Sequence, residues 1–264
     1  MPDHSTIMDS PPAQPVLTSF PNLLSLPDLV AQHLAPWCDR AKSALGDALV
    51  SLVLYGGLAK GEYVTGRSDV NLLLVLSRID AELLDRLTPL ASQGVRDFRL
   101  ALFVLTEQDV VRSADVFPTK FLDIQRHHRL LWGKPVVSLL TIDREHLRLR
   151  CEQEVRNLSL RLRQLYLSRS HHPEQLAPTL KDALSSFLVA IATAVELATG
   201  KAPASKQETL KALPSLGLDP APALVLWDKA FPKEDFSPAD LKRLYTDFMQ
   251  LVQAAADVVD RLSA

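Results

Sequence analysis

Leu54-Tyr55-Gly56-Gly57-Leu58-Ala59-Lys60-Gly61-Glu62-Tyr63, continued by Val64-Thr65-Gly66-Arg67-Ser68-Asp69-Val70-Asn71-Leu72-Leu73, is the stretch whose reading decides the fold. An apolar run rich in strand formers, Ala48 to Tyr55, halts at the glycine pair, and a second apolar run follows from Val70 to Leu76. Runs this short, apolar throughout and bounded by turn residues, read as buried strands. Between them the pattern is a glycine turn, a helix of one to two turns and a polar loop. Gly56 and Gly57 let the backbone approach a ligand closely, and the helix start presents unpaired N–H groups that favour phosphate oxygens. At the other end, Asp69 and Asn71 stand two apart on a predicted strand, so both side chains point to one face and can share a metal.

Outward from that centre, Ser25, Pro27 and Asp28 have the form of a helix start, and a helix is expected to run to about Gly46 with a bend near Pro36. Asp80 to Gln93 is helical by pattern, and Phe98 to Thr106 is a third strand. Glu107 to Trp132 reads as two short helices broken at Phe117-Pro118. This half is therefore expected to be an α+β domain with a small mixed sheet. After Thr141 the strand signals stop. Leu147, Cys151, Val155, Leu158, Leu162 and Leu165 recur at helical spacing and place one apolar stripe on a long helix over Asp143 to Ser168. Leu180 to Thr199, ended by Gly200, and Ser237 to Leu262 supply two more long helices, with shorter ones near Lys206 to Leu213 and Ala221 to Ala230. The expected organisation is an arm over 1–21, an α+β domain over 22–140 and an all-α helical bundle over 141–264.

The chain has 264 residues, 47% hydrophobic and 23% charged, so there is ample apolar material for two packed cores. Its formal net charge of −2 offers no basic field to gather a phosphate backbone, and a nucleic-acid partner is not favoured. Cys38 and Cys151 are too few for a disulfide framework and lack the spacing of a zinc site, which suits a reducing cytoplasm. Met1 to Pro21 carries five prolines and lacks the basic patch and apolar run of a secretory signal; it reads as a disordered arm. Ala183 to Ala198, broken by Ser185, Ser186, Thr193 and Glu196, falls short of the roughly 20 apolar residues that span a bilayer, so no membrane insertion is expected.

The central stretch resembles the signature of the nucleotidyltransferase superfamily, to which the beta-type DNA polymerases and the antibiotic nucleotidyltransferases belong. Tyr55-Gly56-Gly57, the eleven residues Leu58 to Ser68, and Asp69-Val70-Asn71-Leu72 match that signature in order and spacing, and Lys60-Gly61-Glu62 and Ser68-Asp69 resemble its small-enzyme form. The match is close over residues 50 to 77 and looser to about 140. The resemblance implies a nucleotidyltransferase-like domain, with Gly56, Gly57, Lys60 and Ser68 around a nucleoside triphosphate and Asp69 as catalytic metal ligand. It implies Mg²⁺ wherever a nucleotide is bound or transferred, held by Asp69 and the residue at position 71. That residue is Asn71, where the family has its second carboxylate. An amide oxygen brings no negative charge to the two-metal clamp on the attacking and leaving oxygens, so catalysis is expected to suffer more than binding. The family's third carboxylate sits on a following strand; here that strand has none, and Asp97, Asp109, Asp115 and Asp123 are the nearby substitutes.

Other candidates carry less. His127-His128 and His171-His172 read as surface residues, since helical neighbours point about 100° apart and no thiol or carboxylate cluster accompanies them. The arginines of the first long helix alternate with Glu145, Glu152 and Glu154 and read as a solvated face, with Arg161 and Arg163 as its phosphate-contact candidates. Trp132 and Trp227 read as core residues. No arginine stands four to six residues before any of the seven histidines, which argues against a ribonuclease bundle. The leading expectation is a nucleotidyltransferase-fold protein that binds a nucleotide with weak or lost transfer. The alternatives are an active Mg²⁺-dependent transfer of a nucleoside monophosphate to a small-molecule or protein hydroxyl, and a non-catalytic scaffold whose helical half binds a protein partner or a second copy of the chain.

Overall fold

A computed structural model of the protein describes residues 26–229, 231 and 236–262. The arm expected over 1–21 and the capping Ser25 lie outside them. The chain divides into two compact units: one contains residues up to 114 together with 120–140, the other 115–119 and 141 onwards.

In the first unit, α1 (Asp28–Leu45) leads through a 3-10 turn into β1 (Leu49–Tyr55). Then follow the single turn α2 (Gly57–Lys60), β2 (Val70–Leu76), α3 (Ala81–Phe98), β3 (Leu100–Thr106), α4 (Glu107–Val116) and α5 (Pro118–Arg126), whose adjoining ends over 115–119 are assigned to the second unit, and β4 (His128–Gly133). The strands form one mixed sheet in the order β3-β2-β1-β4, in which β1 is antiparallel to both neighbours and β2 is parallel to β3. This is the α+β domain with a small mixed sheet that the apolar runs imply. The runs are apolar throughout because both sheet faces are covered. Leu52, Leu54, Leu72, Leu74 and Leu76 join one core with Val30, Leu34, Trp37 and Ala41 of α1 and Leu83 and Leu87 of α3. The alternate residues Val53, Leu73 and Val75 are equally buried, and Phe103 on that face meets Phe121 of α5 with ring centroids 6.3 Å apart.

One element departs from the sequence reading. His128 to Trp132, expected in the second of two short helices, belong to strand β4, paired antiparallel with β1 through Tyr55 to His128, Leu54 to Arg129 and Ser51 to Gly133. Six residues are too few for a period to separate helix from strand; the free edge of β1, whose backbone groups need partners, decides it. α3 also runs five residues beyond Gln93. Its N-cap is Asp80, whose carboxylate accepts from the Leu83 N–H at 2.9 Å.

Among its described residues the second unit has only helices: α6 (Arg144–Arg169), α7 (Pro173–Thr199), α8 (Lys206–Ala212), a further 3-10 turn, α9 (Ala221–Trp227) and α10 (Pro238–Asp260). Its core joins Cys151, Val155, Leu158 and Leu162 of α6 to Leu180, Phe187 and Ile191 of α7 and Tyr245, Phe248 and Val252 of α10. Leu165, the last residue of the expected stripe, is only half-buried. α10 opens on a reciprocal cap, Ser237 Oγ accepting from the Asp240 N–H and Asp240 accepting from the Ser237 N–H. Gly200 ends α7 with φ 76°, as its position demands. α7 is longer than its apolar stretch suggests, since Pro173 sits in the first turn, where no N–H is missed. By length and composition α7 is sufficient to cross a membrane, and half of its most apolar window is buried inside the protein. Trp227, expected in a core, is 40% exposed, because Ala223 and Leu226 carry the buried face of α9.

The arginines of α6 are not uniformly solvated. Arg148 is only 12% exposed; it pairs with Glu145 at 2.6 Å and Glu152 at 3.1 Å. It also donates to the carbonyls of Val259 and Asp260 at the end of α10. Hydrogen bonding from Arg156 and then Arg148 holds the Glu152 carboxyl below its ordinary 4.5, and Arg148 does the same for Glu145. A carboxyl lowered on folding stabilises the fold above its unfolded value, and that contribution is lost as pH falls through the folded one. The urea midpoint is therefore expected to fall below about pH 4.5. Glu152→Gln should lower the midpoint at pH 7 and flatten its dependence between roughly pH 5 and 3. An unchanged slope in the variant would exclude Glu152 as a source of the acid sensitivity.

Candidate functional site

The central stretch folds so that the end of β1 and the starts of β2, β3 and β4 share one edge of the sheet. Tyr55 stands opposite both Asn71 and His128, and Asn71 stands opposite Ala101. Just beyond Tyr55, Gly56 has φ 75° and ψ −156°, a region open essentially to glycine. A Cβ there would also lie 2.8 Å from the Asn71 amide nitrogen. Gly57 is under less pressure, since its added Cβ would meet only the Glu62 carbonyl oxygen at 4.0 Å. α2 is one turn, closed by the Lys60 N–H on the Gly56 carbonyl and ended by Gly61 at φ 81°. So short a helix contributes little dipole, and any phosphate cradle here consists of the turn's own N–H groups.

The charged groups of the edge are engaged with one another. Lys60 Nζ lies 2.7 Å from Asp123 of α5. Asp69 Oδ1 accepts from Arg99 twice, from Nη2 at 2.8 Å and Nε at 3.0 Å, and both side chains are about half exposed. Asn71 turns its amide nitrogen over Gly56 and donates to the Asp69 carbonyl at 3.4 Å. Ser68 closes its loop, its hydroxyl accepting from the Val64 N–H. Burial raises the Tyr55 hydroxyl above its usual range. His128 belongs to β4 rather than a helix, and its ring nitrogens meet the Gln125 carbonyl and the Ser138 hydroxyl.

The substitutes for a third carboxylate are all committed. Asp97 accepts from Gln93, Asp109 accepts from the Thr106 N–H at the start of α4, and Asp123 holds Lys60. Asp115 belongs to the second unit, 3.5 Å from His146 Nδ1. The residue of β3 level with Asn71 is Ala101, which has only a methyl. Among the described residues no group of three or more His, Cys, Asp or Glu side chains is placed to hold a metal ion. A magnesium ion needs anionic oxygens converging on it. Asp69 points its carboxylate at a guanidinium and Asn71 brings no charge, so the motif presents one ion-paired carboxylate where the resemblance implies two that hold metal.

Arg161 and Arg163 of α6 hydrogen-bond Ser186 of α7 and Gln253 of α10, and so are tied to neighbouring helices of the bundle. Cys38 and Cys151 are free and buried, and burial pushes both thiols up to about 12, which leaves them unreactive at neutral pH. Sequence reasoning missed Arg99 and the Lys60–Asp123 pair. The one available signal for Arg99 was its place at a helix end directly before a strand, where glycine or asparagine is usual.

No protein-family model matches the sequence, and no curated protein matches it. Among solved structures, the chain is similar to a spectinomycin adenyltransferase from Enterococcus faecialis, crystallised with ATP and spectinomycin; the superposition has a TM-score of 0.47 and 11% sequence identity, covering 86% of this chain and 99% of that one.

Proposed function

We propose that the first unit is a nucleotidyltransferase-type module that binds a nucleoside triphosphate at the Gly56-Gly57 turn and has weak or lost nucleotidyl transfer. The observation that carries this reading is the fate of the acidic half of the motif: Asp69 is paired with Arg99, and Asn71 turns an amide nitrogen toward Gly56. In-line displacement at an α-phosphorus needs carboxylates that hold metal on both the attacking and leaving oxygens. The glycine half keeps its constraint, since Gly56 adopts a backbone that brings the chain close to a ligand without side-chain obstruction. Lys60, its side chain 27% exposed beside Asp123, can exchange that carboxylate for a phosphate oxygen.

The test is incubation with labelled ATP, Mg²⁺ or Mn²⁺, and a panel of hydroxyl-bearing small molecules and proteins. Incorporation is expected to stay at the level of Asp69→Ala. Robust incorporation that Asp69→Ala abolishes would overturn the reading in favour of an active enzyme. The scaffold reading is favoured by one specific observation: Leu149, Leu160 and Leu167 are 46%, 55% and 78% exposed, and their spacings of 11 and 7 put them on one face of α6. Failure of every triphosphate to raise the melting temperature would support it.

A further inference from the structure

Arg99 is the one non-glycine among the described residues with a positive φ, 55°. It caps α3, its N–H donating to the Gly94 and Val95 carbonyls, and its own carbonyl accepts from the Val70 N–H at 3.1 Å. A glycine would serve those backbone roles without strain, so the cap does not explain the arginine. What the arginine adds is a guanidinium, held on Asp69 through Nε and Nη2.

We propose that Arg99 takes the place of the divalent cation, so that this edge binds the polyphosphate of a nucleoside triphosphate free of metal. The inference rests on the nucleotide-binding reading above. A guanidinium has five N–H donors in a planar fork. Asp69 accepts from two of these groups and leaves the others for phosphate oxygens. Such a fork fits phosphate in pairs of hydrogen bonds and stays charged at all working pH values. Asp69 is then a positioning residue that aims the guanidinium rather than a metal ligand. The geometry allows it: β1, β2 and β3 are consecutive in the sheet, with Asn71 between Tyr55 and Ala101. Two strand spacings, roughly 10 Å, separate the glycine turn from the start of β3, a span that a triphosphate and a long side chain bridge together. Asn71 fits the same account, since a neutral amide beside Asp69 adds no second negative charge against the polyphosphate.

The test uses the full chain and ATP, with affinity measured calorimetrically in excess EDTA and in excess Mg²⁺. The variants are Arg99→Gly, which suits the left-handed backbone and so keeps the fold, and Arg99→Lys, which keeps charge without the fork. The expected result is that the wild type binds ATP at least as tightly in EDTA as in Mg²⁺. Arg99→Gly should weaken metal-free binding about tenfold or more, the scale of a lost charge-assisted hydrogen bond, and Arg99→Lys should restore part of it. Binding that appears only with Mg²⁺, or that Arg99→Gly leaves unchanged, overturns this inference while sparing the nucleotide-binding reading. Absence of ATP binding under both conditions overturns both.

Discussion

Gly133→Ala is expected to destabilise the first unit by about 3 to 5 kcal/mol, the range in which a single substitution has one identifiable structural cause. Gly133 ends β4 with φ 87°, and a Cβ there would lie 2.1 Å from the Val50 carbonyl oxygen and 3.0 Å from the Ser51 Cα. Both are backbone atoms of β1, so no side chain can swing aside. The left-handed backbone adds about 1 to 2 kcal/mol of its own for any other residue. Relief requires β4 to leave β1, which would break the pairing of Ser51 with Gly133 and the hydrogen bond from the Lys134 N–H to the Val50 carbonyl. It would also strip the buried Ser51 hydroxyl of its acceptors, the Trp132 and Lys134 carbonyls. Urea unfolding and amide exchange across Val50 to Tyr55 would measure it. A variant within about 0.5 kcal/mol of wild type, the scale of an uneventful surface change, would mean that β4 does not pack as described.

Trp37→Ala is the second large expected effect, about 3 to 5 kcal/mol. Trp37 is fully buried on α1, and its indole N–H donates to the Leu90 carbonyl of α3 at 2.9 Å. Pro89 lies inside α3, and a proline ring cannot donate to the carbonyl four residues earlier in a helix. The indole of α1 ties the two helices together one residue beyond that proline. Truncation removes both the ring from the core and the donor from a part-buried carbonyl. Trp37→Phe should separate the terms, keeping most of the packing and costing about 1 kcal/mol for the lost indole hydrogen bond. If the two variants prove equally destabilised, the hydrogen bond and not the ring volume carries the contact.

These two substitutions bear on function through position. β4 puts His128 beside Tyr55, and Tyr55 leads directly into the Gly56 turn. α3 ends at Arg99, whose carbonyl receives the Val70 N–H and whose guanidinium meets Asp69. The candidate site is therefore as ordered as β4 and α3 make it. Sites assembled at strand ends depend on the packing of the elements behind them.

Much of this was legible in local pattern. The strands β1, β2 and β3 follow from apolar runs bounded by turn residues, and α6 and α10 follow from apolar stripes at helical spacing, because burial selects side chains at the period of the element that presents them. That Asn71 stands where the resemblance implies a carboxylate was also readable, since it is a matter of composition at one position in the chain. Three things were settled by tertiary structure alone. β4 became a strand because β1 had a free edge to fill, a condition invisible within six residues. Asp69 met Arg99 thirty residues away because β2 and β3 pair in parallel with Val70 level with Leu100, and Lys60 met Asp123 because α5 comes to the end of α2. Register and docking are non-local events, and they determine which charges face each other; the sequence by itself determined the elements and the residues they carry, while the partner of Asp69 was decided only when the strands paired.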